Sequence, residues 1–490
     1  MAVAYFALFS WPVVAFLAFR RFEVPLAILV TLIFGYLFLP TQISVNLPVL
    51  PTLDKNTIPA FAVLALVLLV FKKSLSAPGT TTFIPRSALA RLCLVTFVFG
   101  AFFTAATNDD PLQYGPIRLP ALRTYDAFSI ILAFFSTLVP FFLAHKFLAH
   151  PEKQRLFLKI FVLAALIYTL PALYEVRMSP QLNRMVYGFF PHNFLQHMRG
   201  NGFRPVVFLE HGLVLAIFMT MALVAAIGLT RLEPPARKTR LVLAAIWLFF
   251  TLVLCKSLGA LAIALALIPM ALLLTVRLQL MMAVGLFIIF LSYPVLRTAG
   301  YVPVDRINAY AESVDPMRAA SLRVRLENED DFLAKVAERP VFGWGGYGRS
   351  RVFAENGTDT SIADGAWVMT LGVGGWVRYL AQFGLYCLPA FYLFWFRRHL
   401  NLTLETSILT LMLAANILDL IPNASQTPLT WMLAGCLWGR LSLGRVSHGL
   451  EEEKAAAPKR GVQYARPHPK RPPRGVTLRA RRLVPTEHKG

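Results

Sequence analysis

The chain is a succession of apolar runs, each close to the length a helix needs to cross a bilayer. They fall at 2–19, 24–40, 57–71, 88–107, 125–144, 157–174, 206–229, 241–255, 258–276, 279–296, 366–396, 404–421 and 427–443. About 20 residues of helix cross roughly 30 Å of hydrocarbon, where only helices and closed barrels satisfy their own backbone groups. Barrel strands would alternate over about ten residues, and these runs are continuous. The expected fold is therefore all-α: a polytopic integral membrane helical bundle of about 12–13 transmembrane helices. Composition agrees, since 57% hydrophobic and 15% charged residues leave too little polarity to cover a water-soluble surface.

Basic residues set the expected orientation. Arg20 and Arg21, then Lys72, Lys73, Arg86 and Arg91, then Lys146, Lys153 and Arg155, then Arg231, Arg237, Lys238 and Arg240, then Arg397 and Arg398, occupy alternate loops. Loops of that kind face the cytoplasm, and the C-terminus falls on the same side. The other loops, 41–56, 108–124, 175–205 and the longest, 297–365, then face outward, to the periplasm of a two-membrane bacterium. The first run, with no cleavage site before it, reads as a retained span.

The expected organisation is a membrane domain over 1–448, interrupted by the periplasmic loop 297–365 with short amphipathic helices, and a disordered basic cytoplasmic tail over 449–490. Net charge is +22, and the tail contributes eleven Lys and Arg against four Glu. With no folded reading surface beside it, this charge suits anionic lipid headgroups and not a specific nucleic acid.

Soluble-enzyme motifs are missing: the sequence has no phosphate-binding glycine loop, no HExxH, no paired CxxC and no GxSxG. Cys93, Cys255, Cys387 and Cys436 sit in or beside apolar runs without metal-ligand spacing and read as small buried hydrophobes, so no disulfide is expected, and no motif calls for a metal or a cofactor. The acidic cluster Glu327, Glu329, Asp330 and Asp331 reads as the charged first turns of an exposed helix over 327–339.

Charges at membrane depth are costly and so point to function. Arg378, Glu210 with His211, Lys256 and Asp419 qualify. Against this, Lys256 can snorkel from a span end, Asp419 lies near the outer end of its run, and His211 suits plain packing. Arg199, Arg204, Arg323 and Arg325 fall on the outer side, where forked guanidinium groups suit a diphosphate; the alternative is ordinary loop charge, partly paired with Glu210 or Glu327.

The segment Arg325 to Gly348, an arginine, a helical stretch and then ERPVFGWGGYG, resembles the signature of the bacterial O-antigen ligase and O-antigen polymerase superfamily. RGNGFRPVVFLEHG before the seventh run and YLAQFGLYCL in a late run are similar to other parts of that pattern. The resemblance implies a membrane glycosyltransferase of the inner membrane, acting at the periplasmic face in exopolysaccharide, capsule or O-antigen assembly. Its donor is a glycan on undecaprenyl diphosphate, not a nucleotide sugar, and other polysaccharide assembly proteins are possible partners. On this pattern Arg325 is a catalytic candidate, and Arg199, Arg204, Arg323 and Arg378 are diphosphate ligands. The ligases of the superfamily carry a histidine where the long loop meets the late span, whereas this chain has none between Arg297 and Arg398. Asp364 is the nearest replacement for it, with Glu210, His211 and Trp367 in support. That departure favours a divergent polymerase over a standard lipid A-core ligase. The alternative reading is a transporter of polysaccharide or lipid-linked glycan, in which the same arginines guide an anionic substrate without bond chemistry.

Overall fold

The computed structural model describes residues 1–47, 51–191, 193–199, 202–314, 316–361 and 364–444. The chain divides into two units, Met1–His448 and Gly449–Gly490; the second, with the basic tail, lies outside the described residues.

The helices run in the order α1 (Ala2–Arg21), α2 (Val24–Phe38), α3 (Thr57–Ala65), α4 (Ala88–Ala106), α5 (Thr124–Phe147), α6 (Pro151–Met178), α7 (Leu182–Tyr187), α8 (Gly212–Leu232) and α9 (Pro235–Leu254). They continue as α10 (Leu258–Leu273), α11 (Val276–Thr298), α12 (Val304–Val314), α13 (Pro316–Glu338), α14 (Ala366–Trp395), α15 (Arg397–Leu400), α16 (Leu404–Asp419) and α17 (Pro428–Leu443). Every apolar run of the sequence carries one of them, because a helix satisfies its own backbone and leaves only apolar side chains outside. Among the described residues α1, α4, α5, α6, α8 and α11 are long and apolar enough to cross a membrane. One departure from all-α is a small hairpin, β1 (Leu112–Tyr114) and β2 (Ile117–Leu119), turned at Gly115.

Helix α8 is the centre of the bundle. Its most apolar window is 94% buried, against 28% for α1, and α6, α9, α10 and α16 pack around it. The apolar run begins at 206, yet the helix starts only at Gly212. Glu175 explains the delay: its carboxylate accepts the N–H groups of Val206 and Val207 at 2.8 and 2.7 Å, and the Tyr168 hydroxyl accepts that of Phe208 at 3.0 Å. With those donors already bound, 206–211 stays irregular.

Two features of the long connection position the site. First, its main helix is longer than the sequence suggested: α13 begins at Pro316, which suits a first helical position, so Arg323 and Arg325 lie on the helix and not ahead of it. The acidic cluster is consequently mid-helix, and two of its four members, buried Glu329 and exposed Asp330, are engaged by α11. Glu329 is 9% exposed, receives the Tyr293 hydroxyl at 3.2 Å and lies 3.5 Å from Arg297; Asp330 pairs with Arg297 at 2.7 Å. These contacts pin α13 to the end of α11. Burial pushes the Glu329 carboxyl up to about 7, against the pull of Arg297. An acid whose folded pKa is raised holds its proton more tightly when folded, so its stabilisation is present at low pH and fades as pH rises through about 7. The melting midpoint should fall by roughly 2–4 °C between about pH 6 and 8. In Glu329→Gln most of that slope should be absent, as thermal scans in detergent would record.

Second, α14 is broken. Gly375 has φ 63° and ψ −166°, ten residues into the helix, and the segment 340–345 fills the break. Trp376 N–H donates to the Pro340 carbonyl at 2.8 Å and Val377 N–H to that of Val341 at 3.2 Å; Trp344 and Gly345 N–H donate to Gly372 and Val373 at 2.8 and 2.9 Å. Four backbone groups freed by the break thus find partners. The approach is so close that a Cβ on Gly343 would meet the Gly374 and Gly375 nitrogens at 2.6 Å. The glycine-rich stretch is therefore a fitted plug.

Candidate functional site

The end of α16, the turn 419–425 and the start of α14 form one unit. Ala366 N–H donates to the Leu420 and Asn423 carbonyls at 3.1 and 3.0 Å, which seats Gly365, the residue capping α14, on that turn. Asp364 immediately precedes the cap. Its Oδ2 lies 2.9 Å from Arg325 Nε, and the two side chains are 36% and 32% exposed. Arg325 Nη1 reaches the Pro422 carbonyl at 3.4 Å. Beneath them Asp419, 2% exposed, accepts the Ser425 hydroxyl at 2.5 Å and Asn423 Nδ2 at 2.8 Å, and it feels the Arg325 charge. The two residues singled out for chemistry, Arg325 and Asp364, are thus in contact, with a buried carboxylate behind them.

Trp367 is fully buried, edge-on to Tyr293 at 5.1 Å, so it is part of the packing under the site and not a surface for ligand. Arg323, also on α13, points elsewhere and pairs with Glu312 at 3.6 Å, both exposed.

The earlier arginines occupy a second cluster. Arg204 is buried, donates from Nη2 to the Lys256 carbonyl at 3.1 Å, and lays its stem over Gly212, where a Cβ would meet Arg204 Cγ and Cδ at 2.5 Å. The Arg199 side chain is exposed, while its carbonyl accepts Lys256 Nζ at 3.0 Å. His211 caps α8 by accepting Leu213 N–H at 3.0 Å, and its ring lies 4.8 Å from that of His197. Glu210 is exposed, and its charge acts on Lys55, Tyr36 and Tyr168. Gly228, late in α8, lies against Ile408, early in α16, so the start of α8 and the end of α16 fall at the same end of the bundle. Tyr36, which feels Glu210, also lies beside Thr427 at the cap of α17. Both clusters therefore sit at one end of the bundle.

Arg378 stands apart. It lies one turn past the break in α14, 4.4 Å from the Phe134 ring centre, with Nε 3.4 Å from Gln382 Oε1 and no carboxylate partner among the described residues. The cavity it lines, between α4, α5 and α14, measures about 20 Å³ and has room for one water, not for a diphosphate.

Several residues escaped sequence reasoning. Lys55 is 3% exposed, donates to the Phe208 carbonyl at 3.1 Å and sits 5.0 Å from the Tyr36 ring centre; burial brings its ammonium down to about 8, opposed by Glu210 and Asp54. Arg349 is fully buried and donates to the Asp110 and Pro120 carbonyls at 2.9 and 2.8 Å. Arg339 pairs with Asp110 at 2.7 Å, and its hydrogen bond is the chief reason the Asp110 carboxyl stays below its usual range. Together they latch the plug segment to the 108–124 connection. The one sequence signal for Arg349 was its place directly after the glycine run; Lys55 had none.

Among the described residues no cluster of three or more His, Cys, Asp or Glu side chains could hold a metal ion. No family model matches the chain, and no curated protein does.

Proposed function

We propose that the protein is a membrane glycosyltransferase that transfers or polymerises a glycan carried on undecaprenyl diphosphate, as the resemblance to the O-antigen ligase and polymerase superfamily implies. The observation that carries the reading is the contact between Arg325 and Asp364, a phosphate-binding cation beside a proton acceptor, at the end of the bundle that also holds Arg199 and Arg204. In this reading that end faces the periplasm, the bundle lies in the inner membrane with 12–13 spans, and 449–490 is cytoplasmic.

The donor is already activated, so the protein has two tasks: stabilising charge that grows on the diphosphate and receiving a proton from the acceptor. The acceptor oxygen forms a bond to the anomeric carbon while the bond from that carbon to the diphosphate oxygen breaks. The electron pair leaves with undecaprenyl diphosphate, held by Arg325, Arg204 and Arg199. The acceptor proton passes to Asp364 and on to water. An apolar groove of about 940 Å³ between α4 and α5, lined by Phe99, Phe128, Phe135 and Leu132 among others, offers a bed for a long isoprenoid chain.

Transport is the weaker reading. Broken helices in transporters expose backbone groups to the cargo, but those of α14 are taken up by 340–345. Purified protein given a defined undecaprenyl-diphosphate oligosaccharide and an acceptor glycan should release undecaprenyl diphosphate and lengthen the acceptor. No release from authentic donor would overturn the enzyme reading.

A further inference from the structure

The ion pair at the centre of the site raises a problem of its own. Asp364 makes one contact, to Arg325 Nε at 2.9 Å, and no other among the described residues. A carboxylate committed to a guanidinium is not free to take a proton from an acceptor, and a guanidinium so engaged offers less to a phosphate. As drawn, each blocks the other's task.

We propose that Asp364 is a placeholder for the donor: it occupies on Arg325 the position that the diphosphate takes, and donor binding releases the carboxylate to receive the acceptor's proton. The proposal rests on the glycosyltransferase reading and adds an order to it, donor before acceptor. Four features carry it. The pair is about one third exposed on both sides, so a phosphate can approach without unfolding anything. Arg325 uses Nε for Asp364 and Nη1 for Pro422 at 3.4 Å, and Nη2 makes no contact among the described residues, so a first phosphate oxygen can bind before the carboxylate leaves. A diphosphate carries more charge than one carboxylate and binds the fork at two points, which favours the exchange. Finally, Asp419 does not take part in it: it is 2% exposed and fixed by Ser425 and Asn423, so the floor under the pair stays in place during the exchange.

The competing view makes Asp364 an orienting partner that holds Arg325 ready for the phosphate. The two views predict opposite signs. Binding of undecaprenyl diphosphate to the full-length protein in nanodiscs should become about two- to five-fold tighter in Asp364→Asn, the range set by the small worth of a part-exposed ion pair, while glycan transfer is lost. Glu327→Gln removes an equal charge from the helix that carries Arg325, without freeing Arg325, and should leave binding unchanged. Weaker or unchanged binding in Asp364→Asn, or equal tightening in Glu327→Gln, overturns the proposal. Asp364→Ala gives a second reading of the same sign should the asparagine variant unfold, with the melting midpoint as the check on folding. Wild-type protein that does not bind undecaprenyl diphosphate, with Arg325→Ala indistinguishable from it, would instead bring down the glycosyltransferase reading itself.

Discussion

On the proposed glycosyltransferase reading, Arg325→Ala is expected to lower glycan transfer by about 100-fold or more while leaving the melting midpoint nearly unchanged. The rate effect follows from losing a charged donor aimed at the leaving diphosphate, a change typically worth about 10²–10³ in turnover. The small stability effect follows from exposure: a pair 32% and 36% exposed contributes at most about 1 kcal/mol. Arg325→Lys should recover part of the rate, since an ammonium keeps the charge but loses the two-pronged geometry. Arg323→Ala is the internal control. It sits two residues away, paired with Glu312 in the open, and should change transfer by less than about threefold. Release of undecaprenyl diphosphate, followed by chromatography, measures all of them. Equal losses at 323 and 325 would mean that α13 acts through its overall charge and not through one guanidinium.

Gly375→Ala and Gly343→Ala are expected to be strongly destabilising single-methyl changes. Gly375 at φ 63° and ψ −166° occupies backbone space that only glycine enters at low cost, and a Cβ there would run into the Val341 and Pro340 carbonyls. Conformational strain of about 1–3 kcal/mol is then compounded by the loss of hydrogen bonds to backbone groups with no other partner. Gly343, at φ +67°, faces the same obstruction from the other side. We expect little monodisperse protein after extraction in either case. Gly285→Ala, where a Cβ meets nothing within 4 Å, should behave as wild type. Size-exclusion profiles and melting midpoints decide the comparison, and a normal profile for Gly375→Ala would mean that the break is not a required part of the fold.

Where helices would form was plain in the sequence, because apolar runs of that length have few other ways to satisfy their backbone. What ended them was less so. Nothing near Val206 signals that Glu175, a full turn before the end of α6, will take its N–H group and delay α8. The same limit applies to the site. Arg325 and Asp364 could each be picked out by residue type and place in the long connection, yet their contact depends on how the 419–425 turn seats α14. Arg349 and Lys55 fall in connections between apolar runs, and burial by elements distant in the chain makes them structural. The two glycine clusters around 343 and 374 were visible separately, and only the fold reveals that one was shaped to fill the other.

That fit bears on how the protein is made. Backbone groups left unpaired away from water cost about 1–3 kcal/mol each, so the broken first half of α14 is a poor candidate for forming by itself. The segment 340–345 precedes α14 in the chain and so leaves the ribosome first. It is already made when residues 366–377 arrive, and the late helix is then completed by a piece of polypeptide synthesised before it. Swapping the order of these two segments by circular permutation would remove that advantage, even though every contact in the finished protein stayed the same.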